Sequence, residues 1–203
     1  MNYGFIGAGN MVSAIVKGMT IGGGGFQGKN IWITSKTVTS AKQLAEACSA
    51  QACQTAQEVI GHSDVVVLGV KPHILMEILP ELQAAFAEKK PLVVSIAAGK
   101  TLEDLAARLP EGTPIVRVMP NINAKIGAST TGICHNAAAT KEQITIVREM
   151  FSTIGSVAEI PEEQFGIFSV IGGASVAFAY LYMDALARAA LKAGMPKKQA
   201  LEL

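Results

Sequence analysis

No uninterrupted apolar run in this 203-residue sequence reaches the roughly 20 residues that a membrane-spanning helix needs. Val170 to Met183 comes nearest, but Gly172, Gly173 and Ser175 break it, so a buried or interface helix is expected there and not a span. Charge of one sign is also missing. With 17 basic and 16 acidic residues spread along the chain, the net charge is +1, and no basic stripe addresses a nucleic acid or an anionic membrane. The expected partner is therefore a small molecule. Cys48, Cys53 and Cys134 are odd in number and form neither a CxxC nor a Cys/His ligand cluster, which argues against structural zinc and for a reduced, cytoplasmic chain. Neither a signal peptide before Tyr3 nor a repeat or low-complexity linker is found.

What the sequence does contain is alternation. Short β-branched runs at Tyr3–Ile6, Ile31–Thr34, Asp64–Val70, Leu92–Ala97, Ile115–Met119, Thr130–Cys134 and Val157–Ile160 predict strands, with a weaker one near Gln51–Gln54. Amphipathic stretches at Asn10–Ile21, Ser40–Ala50, Ile74–Phe86, Leu102–Leu109 and Lys141–Thr153 predict helices between them. Thr101 and Thr140 stand at N-cap positions, and Thr140 with Gln143 spells a capping box. Runs such as Val65-Val66-Val67-Leu68 are apolar on both faces, as central parallel strands covered by helices must be. Residues 1–160 are therefore expected to form an α/β domain, a doubly wound parallel sheet of the Rossmann type.

Beyond Pro161 the strand pattern ends. Residues 161–203 read as a small all-helical region running through Ala193, closed by Gly194 and reopened at Pro196. Phe178, Leu181, Tyr182, Met183, Ala185 and Leu186 put apolar side chains nearly all round that helix, so a second subunit is expected to cover it.

Chemistry enters at the first turn. Gly7-Ala8-Gly9-Asn10-Met11-Val12 follows a strand and opens a helix, the context in which such a turn holds the pyrophosphate of a dinucleotide. Gly7 permits the tight turn, Gly9 lets backbone N–H groups approach the anion, and the helix start adds a favourable dipole. Val12 occupies the third fingerprint position, where Gly or Ala is usual, so the helix is expected to stand slightly off its strand. Sites for NAD place a carboxylate at the end of the second strand; this one ends Thr34-Ser35-Lys36. A hydroxyl and a compact positive charge there favour a 2′-phosphate, and NADPH is the expected cofactor. Lys36 as an ordinary solvated lysine remains the competing reading.

In order along the chain, Gly4-Phe5-Ile6-Gly7-Ala8-Gly9-Asn10-Met11, Val70-Lys71-Pro72-His73, Ser95-Ile96-Ala97-Ala98-Gly99, Arg117-Val118-Met119-Pro120-Asn121 and Lys192-Ala193-Gly194-Met195-Pro196 resemble the motifs of the pyrroline-5-carboxylate reductase family. The resemblance implies reduction of a cyclic imine bearing a carboxylate, 1-pyrroline-5-carboxylate, to L-proline by hydride from NADPH. It also implies a C-terminal helical region that dimerises by interleaving with its mate. Cofactor contacts are implied at Ile6, Gly7, Ala8, Gly9, Asn10, Met11, Val70, Lys71, Pro72 and Ala97, with Asn121 beside the nicotinamide end. Strand-end positions suit this, because ligands of open parallel sheets bind at the carboxyl edge. Lys71 as a solvated helix-start lysine and Asn121 as a turn residue satisfying its own backbone stay open. No general acid is nominated, and His62, His73 and His135 are read as structural because none has a carboxylate or cysteine partner at useful spacing.

The sequence also departs from the family. Met119-Pro120-Asn121 continues Ile122-Asn123 where Thr-Pro is usual, and Gly172 to Phe178 replaces Ser-Gly-Ser-Gly-Pro-Ala-Tyr. Ala56 stands where an asparagine often meets the cofactor. Family members extend past Leu203 into further helices and a substrate-carboxylate loop, so a C-terminally short member is expected. Two alternatives accompany the reductase reading: a cofactor-binding dimeric relative with little activity, and a β-hydroxyacid dehydrogenase. The latter is disfavoured because Ile171 to Asp184 holds neither the lysine nor the asparagine that class uses.

Overall fold

In a computed structural model describing residues 1–203, the chain divides into two compact units, Met1–Phe165 and Gly166–Leu203. The first begins with β1 (Tyr3–Ile6), α1 (Asn10–Thr20), β2 (Ile31–Thr34), α2 (Val38–Cys48) and β3 (Gln51–Ala52). It continues through α3 (Ala56–His62), β4 (Val65–Leu68), α4 (Pro72–Lys89), β5 (Leu92–Ser95), α5 (Leu102–Ala106) and β6 (Ile115–Met119). A 3-10 turn at Ile122–Ile126 leads to β7 (Ser129–His135), α6 (Lys141–Ser152) and β8 (Gly155–Glu159).

One eight-stranded sheet results, in the order β3-β2-β1-β4-β5-β6-β7-β8. Its first six strands are parallel and leave β1 and β4 adjacent at the centre, where the strand order reverses direction. The doubly wound parallel sheet is thus formed, with one reversal at its far edge: β7 pairs antiparallel with β6, and β8 runs parallel to β7. Connection length explains the reversal. Pro120 to Ala128 is too short for the crossover of a dozen or more residues that a parallel neighbour needs.

Strand alternation divides the core between two faces. Phe5, Ile31, Ile33, Val65, Val67, Val94 and Val116 pack with Val12, Ile15, Met19, Leu44, Val147 and Phe151 of α1, α2 and α6. On the other face Val66, Leu68, Val93 and Ile115 meet Val59, Ile60, Leu75, Leu79, Phe86 and Leu105 of α3, α4 and α5. The β4 residues are all buried, as the apolar run implies.

Local signals set the helix ends. Thr101 with Asp104 and Thr140 with Gln143 form reciprocal capping boxes. A third, Thr55 with Glu58, starts α3, a helix absent from the sequence reading. Helix α5 stops earlier than expected, with Arg108 and Leu109 left in the turn before Pro110, since residues preceding a proline disfavour helical backbone.

The second unit is helical. The α7 turn (Phe165–Phe168) leads through a π-helical stretch, Ser169–Ala174, into α8 (Ser175–Lys192), and Gly194 at φ +94° separates this from α9 (Lys197–Glu202). Phe178, Leu181, Tyr182, Met183 and Leu186 of α8 are each more than half exposed. The helical run Glu162–Lys192 is 31 residues long with a mean hydropathy of 1.6 in its most apolar window, long and apolar enough to cross a membrane by length and composition.

Candidate dinucleotide site

The β1–α1 turn uses its two glycines for different reasons. Gly7 sits at φ +119°, where side-chain-bearing residues are strained, and its N–H donates to the Thr34 carbonyl at 2.8 Å. A Cβ at Gly7 would also lie 2.5 Å from the Gly69 carbonyl oxygen, so both conformation and space require glycine. Gly9 is ordinary extended backbone at φ −75° and ψ 178°, the N-cap of α1, and a Cβ there would meet nothing within 4 Å. The first intrahelical bond is Ser13 N–H to the Gly9 carbonyl at 2.8 Å, so the N–H groups of Asn10, Met11 and Val12 have no partner within the helix. With no side-chain cap and no acidic residue in the first turn, this is an open, electropositive cradle that fits a pyrophosphate.

At the end of β2, Ser35 donates its hydroxyl to the Thr37 carbonyl at 2.7 Å, so that proton is engaged in the turn. The Thr37 and Ser40 hydroxyls are 3.0 Å apart, and Lys36, between Ser35 and Thr37 in sequence, is exposed. Helix α2 begins at Val38 without a side-chain cap or an acidic first-turn residue. The sequence reading started this helix at Ser40 and so overlooked Thr37. From Thr34 through Ser40 no carboxylate is present, and the donors suit a phosphate better than a pair of ribose hydroxyls.

The other nominated residues lie at the carboxyl ends of the neighbouring strands. Val70 follows β4, with its Cγ1 3.3 Å from where a Gly7 Cβ would stand. Lys71 is the exposed N-cap of α4, and Pro72 occupies the first helical position, where its missing N–H costs nothing. Ala97 is buried after β5, and its N–H donates to Ser95 Oγ at 3.3 Å. Asn121, buried beyond β6, accepts the Asn123 N–H on its side-chain oxygen at 3.0 Å, while its own N–H donates to Ser129 Oγ at 3.1 Å. It therefore caps the 3-10 turn, whatever else it does. A cleft of about 580 Å³ opens between α1 and that turn, lined in part by Asn10, Ser13, Lys17, Ala124, Lys125 and Thr153.

Two residues set aside in the sequence acquire partners elsewhere. His135 Nε2 lies 3.4 Å from a Glu159 carboxylate oxygen, a neighbour that spacing did not reveal because β7 and β8 bring it across the sheet. The pair is remote from the turn: His135 stands opposite Val116 near the start of β6, at the other edge from Asn121. The adjacent Cys134 thiol is pushed up to about 12, first by burial and then by the Glu162 carboxylate, against the opposing effect of Arg117, so it stays protonated and unreactive. His62 stacks on Trp32 with ring centroids 3.9 Å apart.

This geometry has relatives. Residues 2–99 match the family described as NADP oxidoreductase coenzyme F420-dependent, and residues 162–203 match the pyrroline-5-carboxylate reductase dimerisation family. A pyrroline-5-carboxylate reductase of Escherichia coli is 36% identical over 197 residues, covering 97% of this chain and 72% of the relative. The structure of a pyrroline-5-carboxylate reductase from Coxiella burnetii superposes with a TM-score of 0.91 at 31% identity, covering 98% of this chain and 74% of that one. The Plasmodium falciparum pyrroline carboxylate reductase, solved with NADP bound, does so at 0.87 and 25% identity over 100% of this chain and 73% of its own. The similarity thus runs over nearly the whole sequence and both compact units, and the chain belongs to the pyrroline-5-carboxylate reductase family.

Proposed function

We propose that this protein reduces 1-pyrroline-5-carboxylate to L-proline with NADPH, a step of proline biosynthesis. The observation that carries the reading is the similarity to pyrroline-5-carboxylate reductases across both the sheet unit and the helical unit. When bound, the cofactor supplies the hydride. The chain's own residues would position it: the turn Ile6 to Met11 would hold the pyrophosphate, Lys36 with the start of α2 would receive the 2′-phosphate beside Ser35, whose hydroxyl braces the turn, and Val70, Lys71, Pro72, Ala97 and Asn121 would border the path to the nicotinamide. A protonated imine is already electrophilic, so orientation and exclusion of water are the main demands and no general acid is assigned.

Following NADPH oxidation with pyrroline-5-carboxylate tests the reading directly. Turnover is expected; tight binding without turnover would favour a cofactor-binding relative without reductase activity. Lys36→Asp is expected to weaken NADPH roughly tenfold or more while leaving NADH affinity nearly unchanged, because the substitution removes one attraction to the 2′-phosphate and adds a repulsion. Equal losses for both cofactors would remove Lys36 from the discriminating contact.

Residues 161–203 form the proposed dimerisation region, with a second copy covering α8. A helix exposing this much contiguous apolar surface calls for a partner. Sedimentation is expected to give a dimer or a larger homo-oligomer, and Phe178→Asp with Leu186→Asp to shift it to monomer; a monomeric wild type would refute the assignment. Cytoplasmic placement is proposed on the reduced cysteines, each free and buried.

A further inference from the structure

The third position of the glycine fingerprint usually carries Gly or Ala so that the helix can pack closely on the sheet. Here it is Val12, whose side chain is 1% exposed and part of the core. Space for it comes from the next strand. A Cβ built on Gly69, the residue after β4, would collide with Val12 Cγ2 well inside contact distance, and has the Ile6 carbonyl oxygen at 3.4 Å and the Ile96 side chain at 3.7 Å besides. Gly69 is not in the left-handed region, so its backbone does not demand glycine. The space does.

We infer that Gly69 is a positioning residue for cofactor binding, the small half of a size-matched pair with Val12 that sets where the first turn of α1 stands. The inference rests on the dinucleotide reading of this turn. Three observations join Gly69 to the cradle. Its N–H donates to the Ile6 carbonyl at 2.8 Å, immediately before the turn. Its carbonyl is the atom that a side chain at Gly7 would strike. Val12, against its α-carbon, carries one of the three helix-start N–H groups that have no partner within α1.

An added methyl at position 69 therefore meets a β-branched side chain with little rotameric freedom, itself enclosed by the core. Val12 cannot swing aside; the helix start must move. Misplaced by a fraction of an ångström, its N–H groups no longer converge on the pyrophosphate.

Calorimetric titration of NADPH, paired with thermal melts, tests this on the full chain. Gly69→Ala is expected to raise the Kd roughly tenfold, in line with overpacking elsewhere. Val12→Ala is expected to lower the Tm through lost burial and supplies the reference Kd for the pair. The double variant Val12→Ala/Gly69→Ala is expected to bind NADPH roughly tenfold more tightly than Gly69→Ala while still melting below wild type, so that affinity and stability part company. A merely structural role would make them fall together. Should Gly69→Ala fail to fold, Val12→Ile presses the same contact from the helix side and is expected to weaken binding in its place. Wild-type affinity in Gly69→Ala, or a double variant that stays weak, overturns the pairing. Failure of the wild type itself to bind NADPH would instead overturn the dinucleotide reading.

Discussion

Gly7→Ala and Gly9→Ala are both expected to abolish measurable NADPH binding, by more than about a hundredfold, yet to differ sharply in stability. At Gly7 an alanine must adopt φ +119° and place its Cβ 2.5 Å from the Gly69 carbonyl oxygen. The conformation alone costs about 1–3 kcal/mol, and the overpacking adds a similar amount, so the free protein itself should unfold more readily. At Gly9 the backbone is ordinary and the new methyl meets nothing within 4 Å. Stability should stay within about 0.5 kcal/mol of wild type, and only the approach of the pyrophosphate is blocked. Urea titrations of the two variants, with cofactor titrations on each, separate the effects. A Gly9→Ala variant that binds NADPH like wild type would move the anion off this turn.

That contrast also marks how much the sequence disclosed. The turn is legible because its parts are consecutive: strand, two glycines and helix start occupy Tyr3 to Val12 without help from the rest of the chain. The apolar run Val65 to Leu68 likewise announces a central strand by itself. Features that depend on remote neighbours were not legible. Val12 suggested a helix held off its strand; in the fold, Gly69 leaves the volume that Val12 takes. His135 lacked a carboxylate along the sequence and gains Glu159 through strand pairing. The reversal of β7 follows from the short connection between Met119 and Ser129, which constrains strand direction only once both strands are placed. Helix α3, seven residues long with Gly61 inside it, is too short to show helical periodicity, although Thr55 and Glu58 spelled its capping box.

Ser35 gives a subtler case. By sequence its hydroxyl is a candidate donor to the cofactor; the fold engages that proton at the Thr37 carbonyl. The site stays free of carboxylates, which is the part of the argument that charge alone supports. The donors left to propose for a 2′-phosphate are Lys36 and the first turn of α2, whose N-terminus has no side-chain cap.

Outside the site, Glu162→Ala is expected to destabilise the fold through a buried charge. Arg117 lies on β6 with its side chain 8% exposed and its guanidinium carbon 4.4 Å from the centre of the Phe165 ring. One terminal nitrogen donates to Glu162 Oε1 at 2.9 Å, and the same oxygen accepts the Leu102 N–H at 2.7 Å. Arg117 Nε is buried without a hydrogen-bond partner, so the guanidinium is incompletely satisfied even in the intact protein. Removing Glu162 leaves a buried cation without its anion and an amide without its acceptor. Breaking buried pairs costs about 3–5 kcal/mol; with the Glu162 side chain 32% exposed, water compensates in part, and about 2–3 kcal/mol is expected. Glu162→Gln keeps an acceptor and should cost about 1 kcal/mol. Arg117→Met removes the buried charge and leaves a carboxylate that reaches solvent, so it should cost less than Glu162→Ala despite deleting the larger group. Denaturant unfolding of the three variants orders them. If Arg117→Met proved the most damaging, the contact of Arg117 with Phe165, and not its charge, would be what holds the turn at Glu162 to Gln164 against β6.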